Sequence, residues 1–361
     1  MAGTVQSEND SASGLSCRIA GFWERLFALL IDELVLGILG FCLGLILCDY
    51  FAALGVWGRA IGFIIAMGYF GVMNSRICRG QTIGKVLMKI RVADGDGRTL
   101  RMGTSFLRSG VLVFPYFLWG HSNPPEPEHA GSFVFNEARV SGDPHLILQS
   151  WFMVVALVLE ALKFGVGTSL VYLFIFNRKT RQSLHDLIVG SYVVKAEPAG
   201  MPPAVRAMWR GHYAVVALIA LVAIAAPIPI FTSQHLFVLA NTESFVSLLP
   251  LQKALTSEPG IQHATVAVRK ERPISGEKGK QSQSYVSVHV TTSGQNANPD
   301  ALADYLARIT LKSYPNAAAQ DLIEVSISYG YDIGIASAWQ RRSYAFSPTQ
   351  WRQRLEPKLK P

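Results

Sequence analysis

The stretch LFALLIDELVLGILGFCLGLIL, residues 26–47, decides the fold class, because it is long and apolar enough to cross a membrane. A bilayer core of about 30 Å is spanned by about 20 helical residues. A second apolar block at residues 57–75 follows after a short link, so the two blocks predict a helical hairpin. Asp32 and Glu33 lie within the first block, where an ionisable side chain normally needs a partner or a polar path.

The overall composition agrees with a membrane protein. Of the 361 residues, 50% are hydrophobic and only 16% are charged, and the apolar residues are gathered in blocks. The net charge is +8, but the basic residues flank the apolar blocks, which favours a bilayer surface over nucleic acid as the partner. The four cysteines have no metal-type or disulfide-framework spacing, and we expect no metal and no cofactor. Residues 1–17 lack the features of a signal peptide and predict a disordered cytoplasmic tail.

Loop charges predict the topology. The loop that follows the hairpin carries eight basic residues against two acidic ones, so it and the N-terminus are expected in the cytoplasm. Residues 120–145 are acidic and rich in proline, and they are expected outside. Two crossings between the basic loops would come from residues 107–119 and 146–176. The first is short and contains a proline, so an alternative places it on the membrane surface, with 146–176 folded as a hairpin around Glu160 and Lys163. These two side chains can also pair on one helix face.

The rest of the chain predicts an anchored outer domain. A basic linker at 197–212 leads to YAVVALIALVAIAAPIPIF at 213–231, a fifth apolar helix. Residues 232–361 are mostly polar, and their patterns predict the order α-β-β-α-β. The fold class is therefore an α-helical polytopic membrane domain over 18–196 with about four crossings, an anchor helix, and a small two-layer α/β domain outside the cytoplasm. The inner membrane is the expected location.

The glycines and lysine of GQTIGKVLMKIRVADGDGRTLRMG, residues 80–103, superficially suggest a phosphate-binding loop. The spacing is wrong, because only three residues separate Gly80 from Gly84 and no hydroxyl follows Lys85. Residues 94–97 instead predict a tight turn, which would join 90–92 to 99–100 as a small β-hairpin.

Several ionisable residues are candidates for a polar centre. Arg25 and Asp32 are seven residues apart and share one helix face, so Asp32, with Glu33, would bind a cation or a proton. The alternative is a structural pair of Asp32 with a buried arginine, or a solvated position near the interface. His185 and Asp186 would shuttle protons, or else cap the preceding helix while neighbouring arginines bind lipid phosphate; as adjacent helical residues, they are not expected to contact each other.

Three blocks resemble the signatures of the RDD family of membrane proteins: GFWERLFALLID, GQTIGKVLMKIRVADGDGRTL with SFLR after it, and RQSLHDLIVGSYVV. The resemblance covers about residues 15–196. It implies Arg25, Asp32 and Asp186 as the arginine and aspartates of the family's name. It also implies a set of signature positions: Gly80, Thr82, Gly84, Lys85, Arg91, Gly97 and Arg108.

The resemblance implies a membrane protein of unsettled biochemistry. One hypothesis is a transporter or exchanger subunit for a monovalent cation or a proton, working as a homo-oligomer or in a membrane complex, with Arg25, Asp32 and Asp186 as its centre and Glu33 and His185 in support. The other is a non-transporting scaffold whose outer domain binds a protein or an envelope component. No catalytic constellation is present in the sequence, so an enzyme is not expected.

Overall fold

The structure is a computed structural model that describes residues 18–118, 132–141, 150–197, 207–226, 228–229, 242–273, 283–296 and 298–356. The predicted tail at 1–17 lies outside the described residues. Parts of the acidic loop, of the basic linker and of the loop at 270–283 do so as well.

The N-terminal region is mainly helical. Its helices are α1 (Phe22–Leu54), α2 (Gly58–Met73), α3 (Ile83–Leu87), α4 (Met102–Leu118), α5 (Ser150–Phe176), α6 (Leu184–Val189) and α7 (Gly211–Ala225). Its strands are β1 (Ile90–Ala93), β2 (Ser132–Ser141) and β3 (Tyr192–Lys195). Two helical stretches have the length and apolarity of a membrane span, Phe22–Met73 and Val158–Phe176, and α7 is a shorter apolar helix.

The apolar blocks form helices, and neighbouring helices α2 and α4 pack in antiparallel fashion. Along α2 and α4 the contacts are antiparallel, since Gly71 lies against Phe106 and Gly110 lies near Met67. The α4 helix begins earlier than the predicted apolar block, and its 17 residues give a length of about 25 Å. The α5 helix is continuous, so the alternative hairpin within 146–176 is wrong. Its internal ion pair is confirmed, because Lys163 Nζ lies 2.6 Å from Glu160 Oε2.

The predicted hairpin around the 94–97 turn is wrong. The turn itself forms, because Asp94 Oδ1 accepts hydrogen bonds from the backbone N–H groups of Asp96 and Arg98. Strand β1, however, pairs in antiparallel fashion with β3, about 100 residues later, with Val92 opposite Val193. Burial explains the choice, since Ile90, Val92 and Val193 pack in one small core.

The C-terminal region contains the predicted α-β-β-α-β order and then continues. The elements are α8 (Thr242–Thr256), β4 (Ile261–Pro273), β5 (Gln283–Thr292), α9 (Pro299–Ser313), β6 (Leu322–Asp332), β7 (Ser337–Phe346) and α10 (Pro348–Leu355). The β5 and β6 strands are parallel and connected through α9, and the other neighbours in the sheet are antiparallel. A core that includes Leu248, Val288, Leu306 and Trp351 joins the helices to one face of the sheet.

One strand of this sheet comes from the helical region. The strand order is β2-β4-β5-β6-β7, and β2 lies in the acidic segment between α4 and α5. Residues 132–141 pair with 265–273 in antiparallel fashion, with one register shift near Asn136. The segment predicted as a loop is therefore partly an edge strand, and it ties the sheet to the helices at a second point along the chain.

The end of β6 and the turn that follows it, residues 331–336, dock onto α1 and α2. Small residues permit this approach: a Cβ at Gly62 would lie 1.7 Å from the Ile333 carbonyl oxygen, and the corresponding atom at Gly44 would lie 1.6 Å from the Tyr331 hydroxyl. An ion pair fixes the same contact, because Arg59 Nη1 lies 2.6 Å from Asp332 Oδ2. The sheet is thus held against the end of α1 opposite Arg25.

Candidate functional site

A buried ionic centre lies where α1, α4 and α6 meet. Asp186 is fully buried, and its carboxylate accepts hydrogen bonds from Arg25 Nη2 at 2.8 Å and from Arg108 Nη2 at 2.7 Å. Ser191 Oγ and the backbone N–H of Ser183 add donors at 3.1 Å and 3.3 Å. Two guanidinium groups, from helices that are far apart in the sequence, therefore bind one carboxylate.

Local sequence places Asp186 at this point. Ser183 and Asp186 form the reciprocal capping box of the short α6 helix, and Gly190 ends that helix in the left-handed conformation. These local contacts hold Asp186 in place beside the two arginines.

The charge states around this centre follow from its surroundings. Burial alone would raise the pKa of Asp186, but Arg108 and Arg25 lower it far below its ordinary value, so the carboxylate stays ionised. Burial lowers the pKa of His185 to about 3, so this ring is neutral at physiological pH. His185 Nε2 lies 3.5 Å from Asp186 Oδ1, so the prediction that the two side chains do not contact each other is wrong.

Asp32 forms a second buried centre with the GQTIGK segment. Its Oδ2 accepts a hydrogen bond from Thr82 Oγ1 at 2.5 Å, and its Oδ1 accepts from Gly84 N at 2.8 Å and from the Tyr69 hydroxyl at 2.7 Å. Arg25 bonds to Asp186 instead, so the alternative of a structural pair between Asp32 and Arg25 is wrong. The alternative of a solvated Asp32 is also wrong, since this residue is 1% exposed.

The signature glycines make this contact sterically possible. A Cβ at Gly84 would lie 2.0 Å from the Ala28 carbonyl oxygen, so only glycine lets α3 approach α1. Gly80 has φ of +75°, and a Cβ there would lie 2.4 Å from the Val92 carbonyl oxygen. The segment resembles a nucleotide-binding loop because both need close backbone approach, but here the neighbour is a helix of the same chain.

Lys85 completes the segment. Its Nζ donates to Asn74 Oδ1 at 2.9 Å and to Thr82 Oγ1 at 3.3 Å. Burial lowers the pKa of Lys85 to about 7, with the charge of Arg108 contributing in the same direction. Lys85 therefore differs from Asp186 in that its charge changes near neutral pH.

A cavity of about 350 Å³, here called the central cavity, connects the two centres. Its polar lining contains Arg25, Asp32, Lys85, Arg108 and His185. Its apolar lining comes mainly from α1 and α5.

The structure separates Glu33 from the other predicted residues. Glu33 is exposed and lines a different cavity of about 480 Å³, the distal cavity, together with Leu36 and Phe117. The other signature residues have structural contacts: Arg91 Nη2 donates to the Gly97 carbonyl oxygen at 3.1 Å, which holds the turn in place. Sequence reasoning missed Tyr69, Asn74 and Ser191, because single polar residues in apolar helices and loops have no distinctive spacing.

Lys85 leads to a pH prediction. Its pKa of about 7 in the folded protein lies below the ordinary value of 10.5, so the unfolded chain binds more protons between these pH values. The free energy of unfolding should therefore rise with pH from about 7 to about 10.5. Lys85→Met should remove the contribution of this lysine to that pH dependence. Thermal unfolding in detergent across that range measures it, with the exposed Lys312→Met as the matched control. An unchanged slope in Lys85→Met would contradict the assignment.

Comparison with known proteins supports the resemblance stated above. Residues 19–190 match the family model described as RDD family. A protein of Bacillus subtilis (strain 168), called uncharacterized protein YckC, is 24% identical over 180 residues, which cover 50% of this chain and 86% of that protein. No solved structure matches the chain. The family resemblance is confirmed for this N-terminal region.

Proposed function

We propose, from the RDD family match over residues 19–190 and the docking of the sheet on α1 and α2, that the chain is an integral membrane scaffold. The helices α1, α2, α4, α5 and α7 cross the inner membrane, with the Arg25–Asp186 end in the cytoplasm. The C-terminal sheet lies on the opposite side. The basic loop between α2 and α4 supports this orientation.

The observation that carries the proposal is the double attachment of the sheet. The β2 strand joins the sheet from the helical region, and residues 331–336 insert between glycines of α1 and α2. A tethered domain connected only by α7 would rotate freely, whereas two further contacts fix its orientation relative to the bilayer. Fixed orientation is what a scaffold needs to present a surface to a partner.

The surface that faces away from β2 is the β7 edge of the sheet. The β7 strand pairs with β6 on one side, and on the other side it has no neighbouring strand among the described residues. An edge strand offers backbone N–H and C=O groups to an added strand. We therefore propose a protein partner that pairs with β7.

The buried aspartates support a structural role as well. Asp32 and Asp186 each accept several hydrogen bonds from donors on other segments, so neither carboxylate has to bind a mobile ion to be satisfied. Such fully bonded centres connect helices.

A second candidate, transport of a monovalent cation or a proton, is favoured by one observation. The central and distal cavities follow each other along α1, and together they contain Asp32, Lys85 and Glu33. A lysine that titrates near pH 7 is suited to proton exchange.

Crosslinking in cells tests the scaffold. A photoreactive residue at Gln340 on β7 should give a discrete adduct, whereas the same residue at Lys312, exposed on α9, should give none. In parallel, vesicles containing the purified protein should show no ion-coupled proton flux under conditions where a known exchanger works. Flux that disappears in Asp32→Asn, together with no adduct at Gln340, would replace the scaffold with the transporter.

A further inference from the structure

Three cavities follow one another along α1 and α5. The entrance cavity, about 630 Å³, is lined by residues at the start of α1 and by the loop after α5, including Arg178 and Arg181. It shares Phe22, Arg25 and Phe174 with the central cavity. The central cavity in turn shares Leu29, Phe70 and Leu170 with the distal cavity. The three are therefore neighbours in one row from the basic loops toward the middle of the helices.

The first two cavities have an excess of positive charge. Arg25, Lys85 and Arg108 line the central cavity, and Asp32 is the carboxylate in this lining. Asp32 and the neighbouring Asp186 already accept several hydrogen bonds. Arg25 has five N–H donors, but only its Nη2 donates to another side chain among the described residues. Donors are thus left for an anionic group that enters the cavity.

The walls of the same cavities are apolar and open between two helices. The central cavity is lined by Leu26 and Leu29 of α1 and by Leu170 and Val171 of α5. The rings of Phe22 and Phe174, from the same two helices, contact each other with centroids 5.0 Å apart. Val171 is 58% exposed, so this gap reaches the outer surface of the helices. In a bilayer, that surface contacts acyl chains. The distal cavity continues the apolar lining, apart from Glu33 and Thr168.

A neutral histidine adds a specific polar feature. His185 lines the central cavity, and its buried Nδ1 has no hydrogen-bond partner within the described part of the chain. Because Nε2 faces the Asp186 carboxylate, Nε2 carries the proton and Nδ1 is an acceptor. A buried acceptor of this kind is normally hydrogen-bonded, so a hydroxyl group of a bound molecule would satisfy it.

We propose that this row of cavities binds an anionic amphiphile that enters sideways from the bilayer between α1 and α5. Its phosphate or carboxylate lies against Arg25 and Arg108, with Arg178 and Arg181 at the entrance. Its acyl chain lies between the two helices toward the distal cavity. A hydroxyl next to the anionic group donates to His185. A phosphatidylglycerol-type lipid has all three parts.

The experiment titrates detergent-purified full-length protein with dioleoylphosphatidylglycerol, dioleoylphosphatidylcholine or free glycerol phosphate. Native mass spectrometry counts bound lipid, and thermal unfolding reports stabilisation. Phosphatidylglycerol should raise the unfolding temperature and remain bound, and the other two should not. Val171→Trp is designed to fill the gap, leaves the residues of both ionic centres unchanged, and should weaken the apparent affinity about tenfold. Val222→Trp, at a position on α7 that is 53% exposed, is the matched control.

Two variants that each remove one positive charge test the entrance cavity. Arg178→Gln should weaken phosphatidylglycerol binding, whereas Lys179→Gln, the adjacent exposed residue outside the described cavity linings, should not. Equal stabilisation by both lipids, or wild-type binding in Val171→Trp, would overturn the proposal. A full effect of glycerol phosphate would assign the site to a soluble phosphate compound instead.

This inference rests on the proposed membrane location, which a separate measurement decides. If the protein leaves membranes on carbonate washing, the membrane scaffold fails, whatever the lipid titration shows. If the protein stays in the membrane but binds no phosphatidylglycerol, only the lipid site fails.

Discussion

Asp186→Asn is expected to destabilise the folded protein by about 3–5 kcal/mol, because it leaves two buried guanidinium groups facing a neutral amide. Arg25 and Arg108 are 8% and 2% exposed, so bulk water screens little of their charge once the carboxylate is gone. The amide also presents N–H donors where both arginines already donate. Equilibrium or thermal unfolding in detergent measures the loss.

The same substitution at a surface pair provides the control. Asp300 Oδ1 lies 3.6 Å from Arg354 Nη2, and the Asp300 side chain is 61% exposed. Asp300→Asn should cost less than about 1 kcal/mol. Similar losses in the two variants would mean that the Asp186 centre contributes no more than a solvated ion pair.

Gly62→Ala and Gly68→Ala should change stability in opposite directions although both lie in α2. A Cβ at Gly62 meets the Ile333 carbonyl oxygen at 1.7 Å, so the docked segment must move, at a cost of about 1–3 kcal/mol or more. At Gly68 a Cβ meets nothing within 4 Å, and alanine should stabilise the helix by about 0.5–1 kcal/mol.

The two variants also differ in what they expose. Gly62→Ala should make residues 331–336 more sensitive to limited proteolysis, because this segment loses its contact with α2, while Gly68→Ala should leave the cleavage pattern unchanged. A stable, protease-resistant Gly62→Ala protein would show that the sheet does not depend on this docking contact for its position.

The sequence predicted the helices and the C-terminal order well, because both follow from local periodicity. Apolar runs located α1, α2 and α5, and the amphipathic pattern located α9. It did not predict β2, because the pairing partner of this strand lies more than 120 residues later and nothing local specifies it. The residues SFVFN at 132–136 have strand propensity, but the prolines and acids before them favoured a loop.

In the candidate site, too, the sequence predicted local features but not long-range contacts. The residues Arg25, Asp32 and Asp186 were found from their types in apolar surroundings, but their pairing was not. Spacing along one helix favoured Arg25 with Asp32, whereas packing between helices brings Arg25 to Asp186 and the GQTIGK segment to Asp32. Side-chain spacing reports neighbours on one element, and the contacts between elements depend on the tertiary fold.

The origin of β2 has a consequence for biosynthesis. The ribosome synthesises β2 long before β4. The backbone N–H and C=O groups of β2 therefore lack their β4 partners while α5, α7 and α8 are synthesised. During that interval the edge is open to a chaperone or to a strand of another chain. The converse holds for a fragment that begins after α7: it would fold with β4 as a bare edge, and such a fragment should self-associate in solution until a peptide corresponding to residues 132–141 is supplied.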